Sequence, residues 1–272
     1  MKTSSISSDN IADSASIGKI IGDNKGLGPG FDFLRIALAI TIVIWHSGTV
    51  ANGASYDHSR FIWLIGYAAL TMFFALSGFL IAGSALRLTL RNFIINRSLR
   101  IFPALALEIT LSAVLIGVIF TDYPTFDYFT DRQTYRYFTN IFGIINYHLP
   151  GVFSHNPKNA VNWSLWTVPY EIGCYIIMSA LIFSGLIKKI SMVIVFSITI
   201  ILLGLGVGKL SGASFVCQLF NMTFVENGSR LYVAFLLGIA AYLYRDRLPY
   251  SWWLFGGCVA FCLGLSAMRP AP

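Results

Sequence analysis

The sequence predicts an all-α fold, a polytopic transmembrane helix bundle with about seven spans. Two observations carry this. Apolar residues make up 56% of the chain and charged residues only 11%, with a mean hydropathy of +0.69. A soluble domain carries roughly 25% charged residues. Several stretches of about 18 or more residues also hold few or no charges, which is long enough to cross hydrocarbon as a helix.

The spans fall at roughly 31–52, 61–84, 101–120, 162–184, 190–208, 229–244 and 250–268. The sixth has the shortest apolar core. The stretch 210–225 is uncharged but broken by polar residues, and reads as a loop or re-entrant segment. Residues 1–30 are expected to form a disordered cytoplasmic tail, Ser-rich and polar over 1–25. Its start is too long and too weakly basic for a signal-peptide n-region, so the first span is expected to be retained. Residues 31–272 form the transmembrane domain.

Orientation follows from Lys and Arg placement. The side holding the N-terminus receives twelve of the 19 cations and the other side seven, although the poorer side has the longest loop. The N-terminus is therefore expected in the cytoplasm and the chain in a bacterial inner (plasma) membrane. This bias accounts for the net charge of +7. A nucleic-acid footprint would need a soluble basic face, and the sequence has none. Cys174, Cys217, Cys258 and Cys262 lack metal or redox spacing and read as free, buried thiols. The four histidines are scattered, and no metal site is expected. Gly26 to Gly30 lack the strand-then-helix context of a phosphate loop and read as a hinge into the first span.

Ionisable residues inside spans are costly and mark candidate sites. Arg35 and His46 stand eleven residues apart in the first span. That is about 16 Å of rise and roughly three whole turns, so both share one face. His46 reads as a general base, as a nucleophile, or as a histidine tying helices together. Arg35 reads as a ligand for an anion or as a snorkelling anchor. Asp32, one turn earlier, is placed to pair with it.

Arg97 and Arg100 are three apart and share a helix face. With Arg35 they put three guanidinium groups near one membrane surface, and guanidinium is the preferred partner of phosphate. Glu171 sits beside Pro169 near the start of the fourth span, and a buried carboxylate needs a partner. It reads as an acid–base or orienting group, or as a helix–helix hydrogen bond. Its depth overlaps that of His46, so the two are expected to share a cavity. Glu108 shares a face with Arg97 and reads as structural.

Four segments, in order over about residues 31–175, resemble one family. They are Asp-x-x-Arg-x10-His (Asp32, Arg35, His46), Phe-Phe-x-x-Ser-Gly-Phe-Leu (Phe73 to Leu80), Arg-x-x-Arg-Ile-x-Pro (Arg97, Arg100, Pro103) and Trp-x-x-x-x-Glu (Trp166, Glu171). The pattern resembles the acyltransferase 3 family of integral-membrane acyltransferases. The version running from Asn162 to Glu171 is similar to members that modify surface polysaccharides.

The resemblance implies transfer of an acyl group, acetyl above all, from acyl-CoA to a hydroxyl of an extracytoplasmic polysaccharide or glycolipid. Arg35, Arg97 and Arg100 would bind the phosphates of acyl-CoA. His46 would act as general base, with an acyl-histidine as the variant, and Glu171 would orient or polarise His46 or the acceptor. No metal is implied. Two departures stand out. Family members have more spans, so the chain is expected to lack C-terminal spans and to be inactive alone or a homo-oligomer. The family also has Gly where this chain has Ile36, and the larger side chain is expected to alter local helix packing. The rival class is a proton-coupled transporter or flippase, which buried Arg, His and Glu also suit. No inverted repeat of interrupted helices supports it.

Overall fold

The structure is a computed structural model describing residues 16–24, 30–52, 60–156, 159–188 and 228–251, and the single residues 28, 253 and 256. Regular structure among these residues is helical, with isolated bridges at Ser16–Pro249 and Thr121–Val152. Four helical stretches are long and apolar enough to cross a membrane: Phe31–Gly48, Ile65–Ala85, Leu90–Phe120 and Trp163–Phe183. Arg230–Leu243 is a shorter apolar helix where the sixth span is expected. The span expected at 190–208 and most of that at 250–268 lie outside the described residues. The expected seven therefore stand, among the described residues, as four spans and one shorter helix.

In chain order the helices are α1 (Ile17–Asp23), α2 (Phe31–Asn52), α3 (Arg60–Ala85), α4 (Leu90–Leu111), α5 (Gly117–Phe120), α6 (Thr125–Thr130), α7 (Arg132–Tyr137), α8 (Val168–Phe183) and α9 (Ser229–Leu243). A single π-helical segment, Ser112–Ile116, joins α4 to α5, and a 3-10 turn, Trp163–Thr167, leads into α8.

Helix α1 lies within the segment expected to be disordered. Ser16 caps it by accepting from the Lys19 N–H at 3.2 Å. Ile17 and Gly18 N–H then donate to the Leu248 and Arg245 carbonyls, each at 2.9 Å, which docks α1 beyond the end of α9.

The centre of the bundle is the contact of α3 with α9. They run the same way: Arg230 lies over the Tyr67 ring near one end, and Gly83 meets Tyr242 near the other. A Cβ at Gly78 would fall 2.0 Å from the Phe235 carbonyl oxygen, and one at Gly238 would fall 2.0 Å from that of Ala75. Each helix thus offers a glycine to the other's backbone. Between spans there is no hydrophobic drive as in water, so close van der Waals approach through small residues holds helices together. Phe74, Ile81, Cys174, Met178, Leu231 and Phe235 fill the core around this crossing.

Helix α2 lies antiparallel on α3. Phe31 packs edge-on to Phe79 at 5.4 Å, and the Trp45 indole seats on Gly66. Only 11% of Phe31–Gly48 is buried inside the structure, and Phe33, Ile36, Ile40, Val43 and Ile44 face outward. Ile36 is 60% exposed and points away from the described bundle.

The third span starts earlier than the expected 101. Thr89 caps α4 by accepting from the Asn92 N–H, so the helix that carries Arg97 and Arg100 begins before the span's apolar core. Leu90–Phe120 is 31 residues, about 46 Å of helix, against roughly 30 Å of hydrocarbon. The surplus turns carry Arg91, Arg97 and Arg100, which belong at a polar boundary. Pro103 falls inside α4 and removes one helical hydrogen bond there.

The glycine crossing makes a stability prediction. Gly78→Ala is expected to force α3 and α9 apart and to destabilise the protein by about 1–3 kcal/mol. Melting in detergent checks this, with Gly22→Ala, which meets nothing within 4 Å, as the matched control. Equal midpoints for the two variants would show that the helices do not cross backbone to backbone.

Candidate active site

The two ends of the bundle differ. At one end lie α1, Arg97, Arg100 and the Arg245 turn, here called the basic end. The 121–161 segment closes the other, the loop end, and is built onto the π segment of the third span. The Tyr128 hydroxyl donates to the Ala113 carbonyl at 2.7 Å inside that segment. Gly117 makes room for it, since a Cβ there would lie 1.9 Å from the hydroxyl oxygen. Burial pushes the Tyr128 phenol up to about 12. The Thr134 hydroxyl donates to the Tyr128 carbonyl at 2.6 Å and holds α7 against α6. A segment expected as an aromatic loop is thus three short helical turns over a small core of Tyr128, Tyr137, Leu149 and Val152.

Glu108 ties this end together. Its Oε1 accepts from Ser112 Oγ at 3.0 Å and from Asn162 Nδ2 at 2.8 Å. The Asn162 side-chain oxygen Oδ1 in turn accepts from the Ser164 N–H at 3.0 Å and from Ser164 Oγ at 2.6 Å, which caps the 3-10 turn. That turn packs against α2 and runs directly into α8. Tyr137 is fully buried beside this cluster, and burial first, then the Glu108 charge, push its phenol up.

Each expected site residue has a definite place. His46 is buried on α2, its ring tilted against the Trp45 ring at 4.7 Å. Arg35 is half-buried on the same helix and Asp32 is exposed. Arg97 is half-buried on α4 and Arg100, one turn on, is exposed. Arg97 Nη2 donates to Ser84 Oγ at 3.2 Å, and its guanidinium carbon lies 5.8 Å from the centre of the buried Phe93 ring. The Arg97 Nε–H is buried and meets no acceptor among the described residues.

Glu171 lies in the first turn of α8, where Pro169 suits the helix start rather than breaking it. It is half-buried and accepts from the Tyr175 hydroxyl at 2.9 Å. Both line a cavity with Phe73, Phe74, Ser77, Cys174 and Phe235. His46 is not among the residues lining this cavity.

Helix α3 gives the depths. Trp45, next to His46, seats on Gly66; Glu171 shares its cavity with Phe73 to Ser77; Arg97 binds Ser84. Gly66 to Phe73 is about 10 Å along the helix, and Ser77 to Ser84 about another 10 Å. Histidine, carboxylate and arginine therefore occupy three successive levels from the loop end to the basic end. Tyr175 and Ser84 escaped the sequence reading. The i,i+4 spacing of Glu171 and Tyr175 was the signal for the first. Nothing in the sequence marked Ser84. Cys174 is buried and unpaired; the other cysteines lie outside the described residues.

Comparison with known proteins decides the lineage. A family described as an acyltransferase domain matches residues 29–271. The chain belongs to the acyltransferase 3 family. It is therefore an integral membrane protein of that family, in keeping with its apolar helices. It is also 32% identical, over 148 residues, to an O-acetyl transferase of Shigella phage Sf6. That alignment covers 54% of this chain and 44% of the phage protein, so the chain spans less than half of that relative. No solved structure matches.

The Glu108–Asn162 bond makes a second prediction. Asn162→Ala leaves a carboxylate oxygen without its donor and the 3-10 turn without its cap, at a cost of about 1–3 kcal/mol. Glu108→Ala should cost a similar amount. The double variant should be less destabilised than the sum of the singles, because both remove one interaction. Thermal melting of the four proteins checks this, and strict additivity would show that the two side chains are uncoupled.

Proposed function

We propose that the protein is a membrane O-acyltransferase that moves an acetyl group from acetyl-CoA to a hydroxyl of an extracytoplasmic polysaccharide or glycolipid. Family membership and the name of the phage relative support the reaction class. The observation that carries the donor assignment is the buried, unmet Nε–H of Arg97 beside exposed Arg100. Guanidinium groups grip phosphate oxygens in pairs, and an ammonium does not. Arg97 and Arg100, with Arg35 on α2, are the proposed phosphate-binding set.

In this reading the basic end faces the cytoplasm of a bacterium, as the cation count argues, and the loop end faces outward. Gly66 and Ser84 are 18 residues, about 27 Å, apart along α3. The thioester arm of the donor, not its phosphates, must then approach His46. His46 takes the proton of the acceptor hydroxyl as the oxygen attacks the thioester carbonyl. The new C–O bond forms, the C–S bond breaks, and the CoA thiolate takes up a proton. Glu171, one level inward, stabilises the imidazolium across a medium of low dielectric.

His46→Ala is expected to lower transfer by about 10²–10⁴-fold while insertion is unchanged. Counting label from acetyl-CoA in the polysaccharide of host membranes tests it, and wild-type turnover would remove His46 from the chemistry. Arg97→Ala is expected to raise the apparent KM for acetyl-CoA about tenfold or more, with the acceptor KM little changed. Arg97→Lys should restore part of the loss, because it keeps the charge without the fork. A defect confined to the acceptor would move Arg97 out of the donor site.

A further inference from the structure

Glu171 is a carboxylate in an otherwise apolar cavity, and its acid–base behaviour depends on what holds it. The cavity walls from α3 and α9 are Phe73, Phe74, Ser77 and Phe235, none of which titrates. From α8 come Cys174, which is buried, and Tyr175. Tyr232 of α9 is buried and packs against Tyr170. From α4, Arg97 stands one level nearer the basic end, on Ser84. Of all these groups, Tyr175 is the one whose hydroxyl donates to the carboxylate, at 2.9 Å.

The i,i+4 spacing puts the two side chains on one helix face, and the Tyr175 hydroxyl reaches back along it to the Glu171 carboxylate. A hydrogen bond to an ionised carboxylate favours the ionised form and fixes its direction. Without it, Glu171 would face Phe73, Phe74 and Phe235 undonated, and apolar surroundings drive a carboxyl toward its neutral form.

We propose that Tyr175 is a positioning residue that holds the Glu171 carboxylate in one direction within the cavity. This rests on the role given to Glu171 above. Tyr175→Phe removes only the hydroxyl, and the ring stays to pack.

The experiment follows the protonated-carboxyl infrared band of the purified full chain in liposomes across pH. The Glu171 component is identified by its loss in Glu171→Gln. In Tyr175→Phe the midpoint of that component is expected to rise by about one pH unit or more. Tyr175→3-fluorotyrosine, a stronger donor of nearly the same size, is expected to lower it, so the test survives a poorly folded Phe variant. An unmoved midpoint in both overturns the proposal.

Label transfer from acetyl-CoA to host-membrane polysaccharide supplies the second reading. In Tyr175→Phe the acidic limb of the rate is expected to move up by the same amount, with roughly tenfold slower turnover at its foot and an unchanged KM for acetyl-CoA. If the infrared midpoint moves while Glu171→Gln transfers label at the wild-type rate, the hydrogen bond stands but Glu171 leaves the reaction, and Tyr175 leaves with it. A simply structural tyrosine would lower activity at every pH without moving either midpoint.

Discussion

The close crossing of α3 and α9 is the contact on which the rest of the bundle depends. Two glycines let each backbone reach the other, at Gly78 and at Gly238. In water, burial of the flanking apolar side chains would hold such a pair. In hydrocarbon that drive is absent, and approach distance decides. With α9 fixed on one side, α3 offers its other surfaces to α2, α4 and the cavity against α8. The three levels of histidine, carboxylate and arginine are registered on one rigid ruler, α3. A change in the crossing would shift all of them together.

Placing charge along that ruler has its own cost, and each ionisable group answers it differently. Arg97 sits in turns that exceed the hydrocarbon thickness and leans on Ser84 and Phe93. Glu171 has a phenol. Glu108, deeper along the third span, has a serine and an asparagine amide. The Glu108 contacts serve a covered joint between the third span and the turn before α8. Those of Glu171 leave it lining open space. Two carboxylates of similar sequence setting are thus separated by surroundings, one as a strut and one as a candidate for chemistry.

Much of this was legible in the sequence, and the reasons differ by element. Helix α2 matches its expected limits of 31 and 52, because a long, mainly apolar run bounded by Gly30 and a polar stretch has one reading. The third span was misjudged at its start. Apolar content sets the expected start at 101, whereas the Thr89 cap and helix-favouring side chains extend the helix outward past the hydrocarbon. The 121–161 segment lacks apolar periodicity. Its order comes from hydrogen bonds to the π segment, which no local pattern announces. Among site residues, shared faces on one helix were readable by counting. The hydrogen bond that Glu171 accepts comes from four residues on, at Tyr175, a spacing that the sequence displays.

The joint at Asn162 connects the two halves of the proposed reaction. Asn162 binds the third span through Glu108, caps the turn that packs on α2, and stands nine residues before Glu171. The loop-end helices are fastened to the same third span through Tyr128 and Ala113. An acceptor arriving at the loop end would therefore press on elements that are one hydrogen-bonded step from both α2, which carries His46, and α8, which carries Glu171. A cap that ordered only its own turn would need Ser164 and nothing more. Joining that cap to a half-buried carboxylate of another span makes the start of α8 move with the third span, so a fixed geometry for Glu171 requires no rigidity in the loop itself.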